Sequence, residues 1–288
     1  MIIQIITEGF LMGGIYALAA LGLSLIFGVM KITNFAHGAM MTIGMYVSYL
    51  AFTYFNLSPY ASIPLSMIVL FVLGYLIQRY LIKKIESAPS HNQLLLTLGL
   101  SIVFENALLA FFGPEPKSDI FLNYSQVISI AGLKISLPKL ISLGIVIAVT
   151  VLVYLFLYKS SLGRAVRATS QNSDGALLMG VVVNKTRALA FGIGTMCTGI
   201  AGTLLTPTMN VDPSIGSSLL LTCFVIAVLG GLGNLIGALI SGFIIGIIES
   251  LTSYFFSGQV SSMVIYIIFI IVLLIKPNGL FERRNIRE

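Results

Sequence analysis

Long apolar runs separated by short polar segments set the pattern of this chain. A helical run of about twenty apolar residues matches the hydrocarbon thickness of a bilayer. Such runs extend from about Ile5 to Met30, Phe35 to Phe55, Pro59 to Ile82, Leu94 to Phe112 and Leu137 to Tyr158. Leu189 to Pro207 follows. Leu219 to Leu229 and Leu235 to Phe256 then flank a glycine-rich break, and Val260 to Ile275 closes the set. The pattern predicts an all-α polytopic membrane protein with about eight to nine transmembrane helices, including broken or re-entrant segments.

The basic residues orient these spans. With the N-terminus outside and nine crossings, Lys31, Arg79, Lys83, Lys84, Lys159, Arg164, Arg167, Lys185, Arg187, Lys276, Arg283, Arg284 and Arg287 fall on the cytoplasmic side. Only Lys117, Lys134 and Lys139 stay outside, which also puts the C-terminus in the cytoplasm. The bias decides one short segment. If Leu219 to Leu229 returned to the side it came from, Lys276 and the basic tail would land outside, so it is expected to cross as part of a broken helix.

Two polar stretches stand out between the spans. The external loop, 113–138, has Val127, Ile128, Ile130, Leu133 and Ile135 alternating loosely around Gly132, which suits a small hairpin. The cytoplasmic segment 159–187 carries Arg164 and Arg167 three residues apart on one helix face. Asn172 or Ser173 can then cap a short helix over Asp174 to Met179, with Gly180 placed to end it and Asp174 suited to its first turn. About six residues do not form a stable helix alone in water. The Leu177, Leu178 and Met179 side chains on it must be covered by the rest of this protein or by a partner.

Composition agrees with the span pattern. Of 288 residues, 57% are hydrophobic and 9% charged, where soluble domains have about a quarter charged. The net charge of +6 lies in short loops between spans, so no nucleic-acid partner is expected and the partner along most of the surface is the lipid bilayer. Cys197 and Cys223 fall within apolar runs and read as small buried side chains. The first thirty residues lack a basic leader and a clear cleavage site, and are read as a retained span. His37 and His91 are not spaced as metal ligands. Val182 to Thr186 lacks the glycines of a phosphate loop, and no nucleophile–base–carboxylate set is present. Neither a metal, a cofactor nor covalent catalysis is expected.

Breaks inside a membrane survive only where protein or a lined cavity satisfies the backbone. One runs from Gly28 to Gly38 and another from Leu229 to Gly237. Asn34, Gly38 and Ala39 in the first resemble Asn234, Gly237 and Ala238 in the second. Interrupted segments in corresponding halves are a feature of transporters built from repeats. Close helix packing is the plainer account of Gly231, Gly233, Gly237, Gly242 and Gly246. For His37 the plainer account is a place at the cytoplasmic interface. Glu105 and Glu249 are the costly intramembrane carboxyls and therefore candidates for the path. Otherwise they fix helix packing, with Asn106 near the first and Ser250 near the second.

Taken in order, GLSLIFGVMKITNFAHGAMM (Gly22 to Met41), SSLGRAVRATSQNSDGALLMGV (Ser160 to Val181), RALAFGIGTMCTGIAGTLL (Arg187 to Leu205) and VLGGLGNLIGALISGFIIGIIE (Val228 to Glu249) carry a resemblance. They resemble the LivH-type permease subunits of ABC importers for branched-chain amino acids. The resemblance implies a single transmembrane permease domain over 1–288, multi-pass in the bacterial cytoplasmic (inner) membrane. It also implies a second related permease in a heterodimer, two cytoplasmic ATPase subunits that hydrolyse the ATP, and an external solute-binding protein. The loop 159–187 is then the coupling segment, with Arg164, Ala165, Arg167, Ala168, Asp174, Ala176, Leu177, Leu178, Met179 and Gly180 meeting an ATPase. No Glu-Ala-Ala of the broader ABC importer signature stands in it. The expected path residues are Asn34, His37, Gly38, Glu105, Gly231, Gly233, Asn234, Gly237 and Glu249. Two alternatives stay open: an importer permease for another small solute such as urea or an amide, and an ion-coupled carrier using Glu105 or Glu249.

Overall fold

The computed structural model describes residues 1–86, 88–117, 126–130 and 133–281. The described helices are α1 (Ile2–Met30), α2 (His37–Phe55), α3 (Ile63–Tyr80), α4 (Ser90–Phe112), α5 (Leu137–Lys159), α6 (Ser161–Gln171), α7 (Ser173–Leu178), α8 (Val183–Leu205), α9 (Gly216–Gly230), α10 (Leu235–Phe255) and α11 (Gly258–Ile275). A short 3₁₀ turn, Ile82–Ile85, extends α3. Among the described residues, 7 helices are long and apolar enough to cross a membrane: α1, α3 with its extension, α4, α5, α8, α10 and α11. The eight to nine expected from sequence included two more. Of these, α9 has only 15 residues. The other, α2, includes His37, Gly38, Thr42, Gly44 and Ser48 and is less apolar.

Two helices form the centre. Of their most apolar stretches, 83% of α1 and 89% of α8 is buried, against 33% or less for the other candidate spans. Glycines let the backbones meet there. A Cβ at Gly242 would lie 2.5 Å from Ala17 Cα, and one at Gly9 would lie 2.6 Å from the Gly246 carbonyl, so α10 runs antiparallel and tight against α1. On α8, Gly194 faces Gly22 of α1 and Gly199 faces Gly44 of α2. Thr195 seats against Gly74 of α3 and donates to the Leu70 carbonyl at 2.8 Å. Close packing is therefore the role of Gly242 and Gly246, as small residues at helical spacing suggest. Cys197 and Cys223 are buried and free.

The α1–α2 connection is not a loop at the end of the bundle. Lys31 takes a left-handed conformation (φ 57°) that reverses the chain after α1. The next residues run back along the bundle, and α2 starts beside Ala19, well short of the end of α1 at Met30.

At the opposite end, β1 (Val127–Ile130) and β2 (Leu133–Ser136) pair antiparallel with Val127 opposite Ser136. This is the expected hairpin; Gly132 and residues 118–125 lie outside the described residues. Glu8 of α1 anchors it, accepting from the Ser136 amide at 3.3 Å and pairing with Lys139 Nζ at 2.6 Å. Glu8 thus has a structural task that its position in the sequence did not suggest. The Lys117 and Val211 backbones also pair, tying the α4–β1 segment to the α8–α9 connection.

The fold predicts opposite outcomes for two valine substitutions at helical glycines. Gly242→Val overfills the α1–α10 contact and costs about 1–3 kcal/mol, whereas Gly144→Val enters open space on α5 and is tolerated. Thermal unfolding of the purified chain in detergent checks this; equal melting temperatures for the two variants would contradict the packing.

Candidate functional site

The first break is built on an asparagine and a histidine. Asn34 is buried, and its Oδ1 accepts from the Ala36 amide at 3.1 Å, which holds the turn into α2. His37 is fully buried, with Nε2 3.0 Å from the Ala19 carbonyl and 3.1 Å from Thr198 Oγ1. A carbonyl only accepts, so Nε2 carries the proton. His37 therefore lies inside the bundle, because the reversal at Lys31 carries it back along α1. Gly38 packs directly on Gly216, so the first turns of α2 and α9 meet backbone to backbone. Neither helix has a side-chain cap. Two positive helix ends thus converge in the interior. Beside them, Ser217 and Ser218 of α9 are exposed, their hydroxyls bonded to carbonyls of the preceding turn. Sequence reading passed over these serines because they stand just before the apolar run that begins at Leu219 and belong to no motif.

The second break is a tight turn between antiparallel α9 and α10. Gly231 (φ 87°) and Gly233 (φ 91°) occupy the left-handed region that favours glycine. Asn234 caps α10 by accepting from the Gly237 amide at 3.1 Å, and its Nδ2 donates to the Phe281 carbonyl at 2.7 Å. Gly237 packs on Gly230. The Gly233 amide donates to Ser24 Oγ of α1 at 3.1 Å, and Gly233 also approaches Gly28. The two breaks therefore meet the same helix, one at Ala19 and the other at Ser24 and Gly28.

The two carboxyls separate. Glu249 accepts from Tyr16 Oη of α1 at 3.4 Å, and its other oxygen is enclosed with no hydrogen-bond partner among the described residues. Ser250 is not its neighbour in bonding, since that hydroxyl donates to the Ile5 carbonyl. Glu105 lies partly exposed on α4 with no hydrogen bond among the described residues. Asn106 instead bonds back to the Ile102 carbonyl at 2.8 Å. Glu249 thus joins the interactions along α1, and Glu105 stands apart from them.

The polar segment 159–187 forms two helices. Ser160 caps α6 through the Gly163 amide (2.8 Å) and Asn172 caps α7 through the Gly175 amide (2.9 Å). Gly180 (φ 82°) ends α7, its amide donating to the Leu177 carbonyl. Ala176 is buried, while Leu177, Leu178 and Met179 are 62%, 88% and 85% exposed. On α6, Arg164 is exposed, and Ala165, Arg167 and Ala168 are half-buried. Asp174 is exposed at the start of α7. Arg187, at the foot of α8, pairs with Glu86 and donates to Ser173 Oγ at 3.0 Å. It forms part of a cleft of about 450 Å³ beside α7, with Leu177 and Val182 on its wall. This clamp between α7, α8 and the α3–α4 connection was not legible, since its members are far apart in the chain.

Seven apolar spans, two of them buried at the centre, with broken helices inside and an apolar tip on a basic stalk, define a multi-pass membrane protein of the transporter class. The profile described as "Branched-chain amino acid transport system / permease component" matches residues 5–273, and the chain belongs to that family. It is 29% identical over 299 residues to the high-affinity branched-chain amino acid transport system permease protein BraD of Pseudomonas aeruginosa, covering 99% of this chain and 97% of that one. It is 32% identical over 298 residues to the probable branched-chain amino acid transport permease protein LivH of Methanocaldococcus jannaschii, covering 96% and 92%. LivH of Escherichia coli is 28% identical over 306 residues, covering 99% and 97%. The chain is a permease subunit of an ABC importer and not an enzyme, and ATP hydrolysis belongs to separate partner subunits.

Asn172→Ala removes the α7 cap, at a cost of about 1 kcal/mol. Hydrogen exchange at the amides of α7 should quicken roughly fivefold, with α8 unchanged. Unaltered exchange in α7 would show that the cap does not hold it.

Proposed function

We propose that this chain forms one half of the membrane core of an importer for branched-chain or similar small amino acids in the bacterial cytoplasmic (inner) membrane. A second, related permease forms the other half, two ATPases bind inside, and a solute-binding protein delivers the cargo outside. The N-terminus is outside and the C-terminus cytoplasmic, with α2 and α9 completing the crossings to nine. The distribution of lysine and arginine supports this orientation, as does the grouping of the external hairpin with the start of α1. The tail arginines Arg283, Arg284 and Arg287, used in that count, lie outside the described residues.

The observation that carries the coupling is the α7 tip. Leu178 and Met179 are the most exposed apolar side chains of a capped six-residue helix, and such a cluster marks a partner site. Asp174, Leu177, Leu178, Met179 and Gly180 contact the ATPase, while Ala176 seats α7 from beneath. Arg164, Ala165, Arg167 and Ala168 belong to α6, the strut that joins α7 to α5. Docking biases inward and outward states of the permease. Asn34, His37, Gly38, Gly231, Gly233, Asn234 and Gly237 form the hinges and walls that respond, with the converging ends of α2 and α9 offered to the carboxylate of a zwitterion. Glu249 tightens α10 on α1 near that region, and Glu105 lies on a helix surface facing lipid or the second permease.

Leu178→Asp together with Met179→Asp should abolish co-purification of the ATPases and reduce solute uptake to background while leaving the permease folded. Unchanged association and uptake would reject α7 as the docking element.

A further inference from the structure

The elbow between α5 and α6 gathers cations without giving them anions. Gly163 of α6 sits against the backbone of Phe156 and Leu157, so α6 crosses the last turn of α5 closely. One turn further, the Arg167 guanidinium lies over the Tyr158 ring, 4.4 Å from its centroid. Tyr158 stacks on Tyr154 with centroids 4.4 Å apart. Both rings are about half exposed and continue an exposed apolar ridge through Val151 and Leu155. Lys159 ends α5 in an exposed position, and Arg164 reaches back to the Lys159 carbonyl at 3.4 Å.

The Lys159 ammonium and the Arg167 guanidinium have no hydrogen-bond acceptor among the described residues, and Arg164 uses only the one carbonyl. The ion pairs among the described residues are Glu8 with Lys139 and Glu86 with Arg187, so no carboxylate serves this elbow. Stacked tyrosines below and cations above are the arrangement that a membrane interface favours, the rings at headgroup level and the charges on its polar side.

We propose that the α5–α6 elbow binds an anionic phospholipid of the cytoplasmic leaflet. Lys159, Arg164 and Arg167 hold its phosphate, and its acyl chains lie on the ridge of Tyr158, Tyr154 and Val151. A soluble ATPase could meet the same cations, but it cannot cover a ridge that descends α5 into the membrane span. A lipid covers both. The site fixes α6, and with it the base of α7, to the membrane surface. The inference rests on the proposed orientation, which puts this elbow on the cytoplasmic side of the bilayer, and does not depend on the solute or on ATPase docking.

The test is native mass spectrometry of the full-length chain released from nanodiscs of equal phosphatidylglycerol and phosphatidylcholine. The chain should retain phosphatidylglycerol in preference, and Arg164→Gln with Arg167→Gln should lower that preference at least tenfold. Lys159→Gln, an exposed change that spares the α6 packing, should lower it about fivefold and keeps the test open if the double variant does not fold. An unchanged preference in Lys159→Gln and in the folded double variant overturns the site. So does complete displacement of the lipid by millimolar inorganic phosphate, which would reveal a phosphate pocket with no use for the acyl chains. Loss of ATPase co-purification with lipid preference intact would give these cations to the ATPase and also overturns it. The aspartate variants of Leu178 and Met179 should retain the lipid preference, so failure of the docking proposal remains distinguishable from failure of this one.

Discussion

Backbone groups freed by a break in a membrane helix have to be paired within the protein, and the breaks in this chain are paired against α1. The His37 ring donates to the Ala19 carbonyl, and Ser24 Oγ accepts from the Gly233 amide. Tyr16, also on α1, donates to Glu249 of α10. Almost the whole inner length of α1 is enclosed as a result. Its glycines are the condition for this, because Gly9, Gly13, Gly22 and Gly28 each admit another backbone where a side chain would hold it away. Without those approaches neither break could reach its partner.

The contacts differ between the frame and the second break. The contacts of α8 with α1, α2 and α3 are backbone-close and extensive, and form the stable frame. The α9–α10 turn is held by bonds to Ser24, to the Phe281 carbonyl and between Leu280 and Leu229, and by close backbone approach of Gly231 to Gly279 and of Gly233 to Gly28. The Arg187 clamp gives α7 a direct mechanical link to α8 and, through Glu86, to the end of α3. The exposed tip is therefore joined to the central frame by an ion pair and a hydrogen bond.

Local chemistry was legible in the sequence and long-range geometry was not. The caps of α6, α7 and α10 follow from Ser160, Asn172 and Asn234, whose side chains act on amides three residues away. The hairpin at Val127 to Ser136 follows from its alternation. Apolar length located the spans, yet it could not show that α2 begins alongside Ala19, because an extended return and a surface loop have the same local composition. Partner choice was equally hidden. Ser250 stood next to Glu249 in the chain, but Tyr16 meets it in space. Arg187 looked like one more inside-positive charge, and its pairing with Glu86 depends on α3 lying antiparallel to α8.

The claim that most of this rests on is that residues following Lys31 turn back into the bundle. Cysteine labelling tests it directly, in a background with Cys197 and Cys223 replaced by alanine. Lys31→Cys is exposed and Ala36→Cys is enclosed. In inside-out membrane vesicles a membrane-impermeant maleimide should modify the first within minutes and leave the second unmodified until the protein is denatured. Equal labelling at both positions would make the connection a cytoplasmic loop and contradict the account.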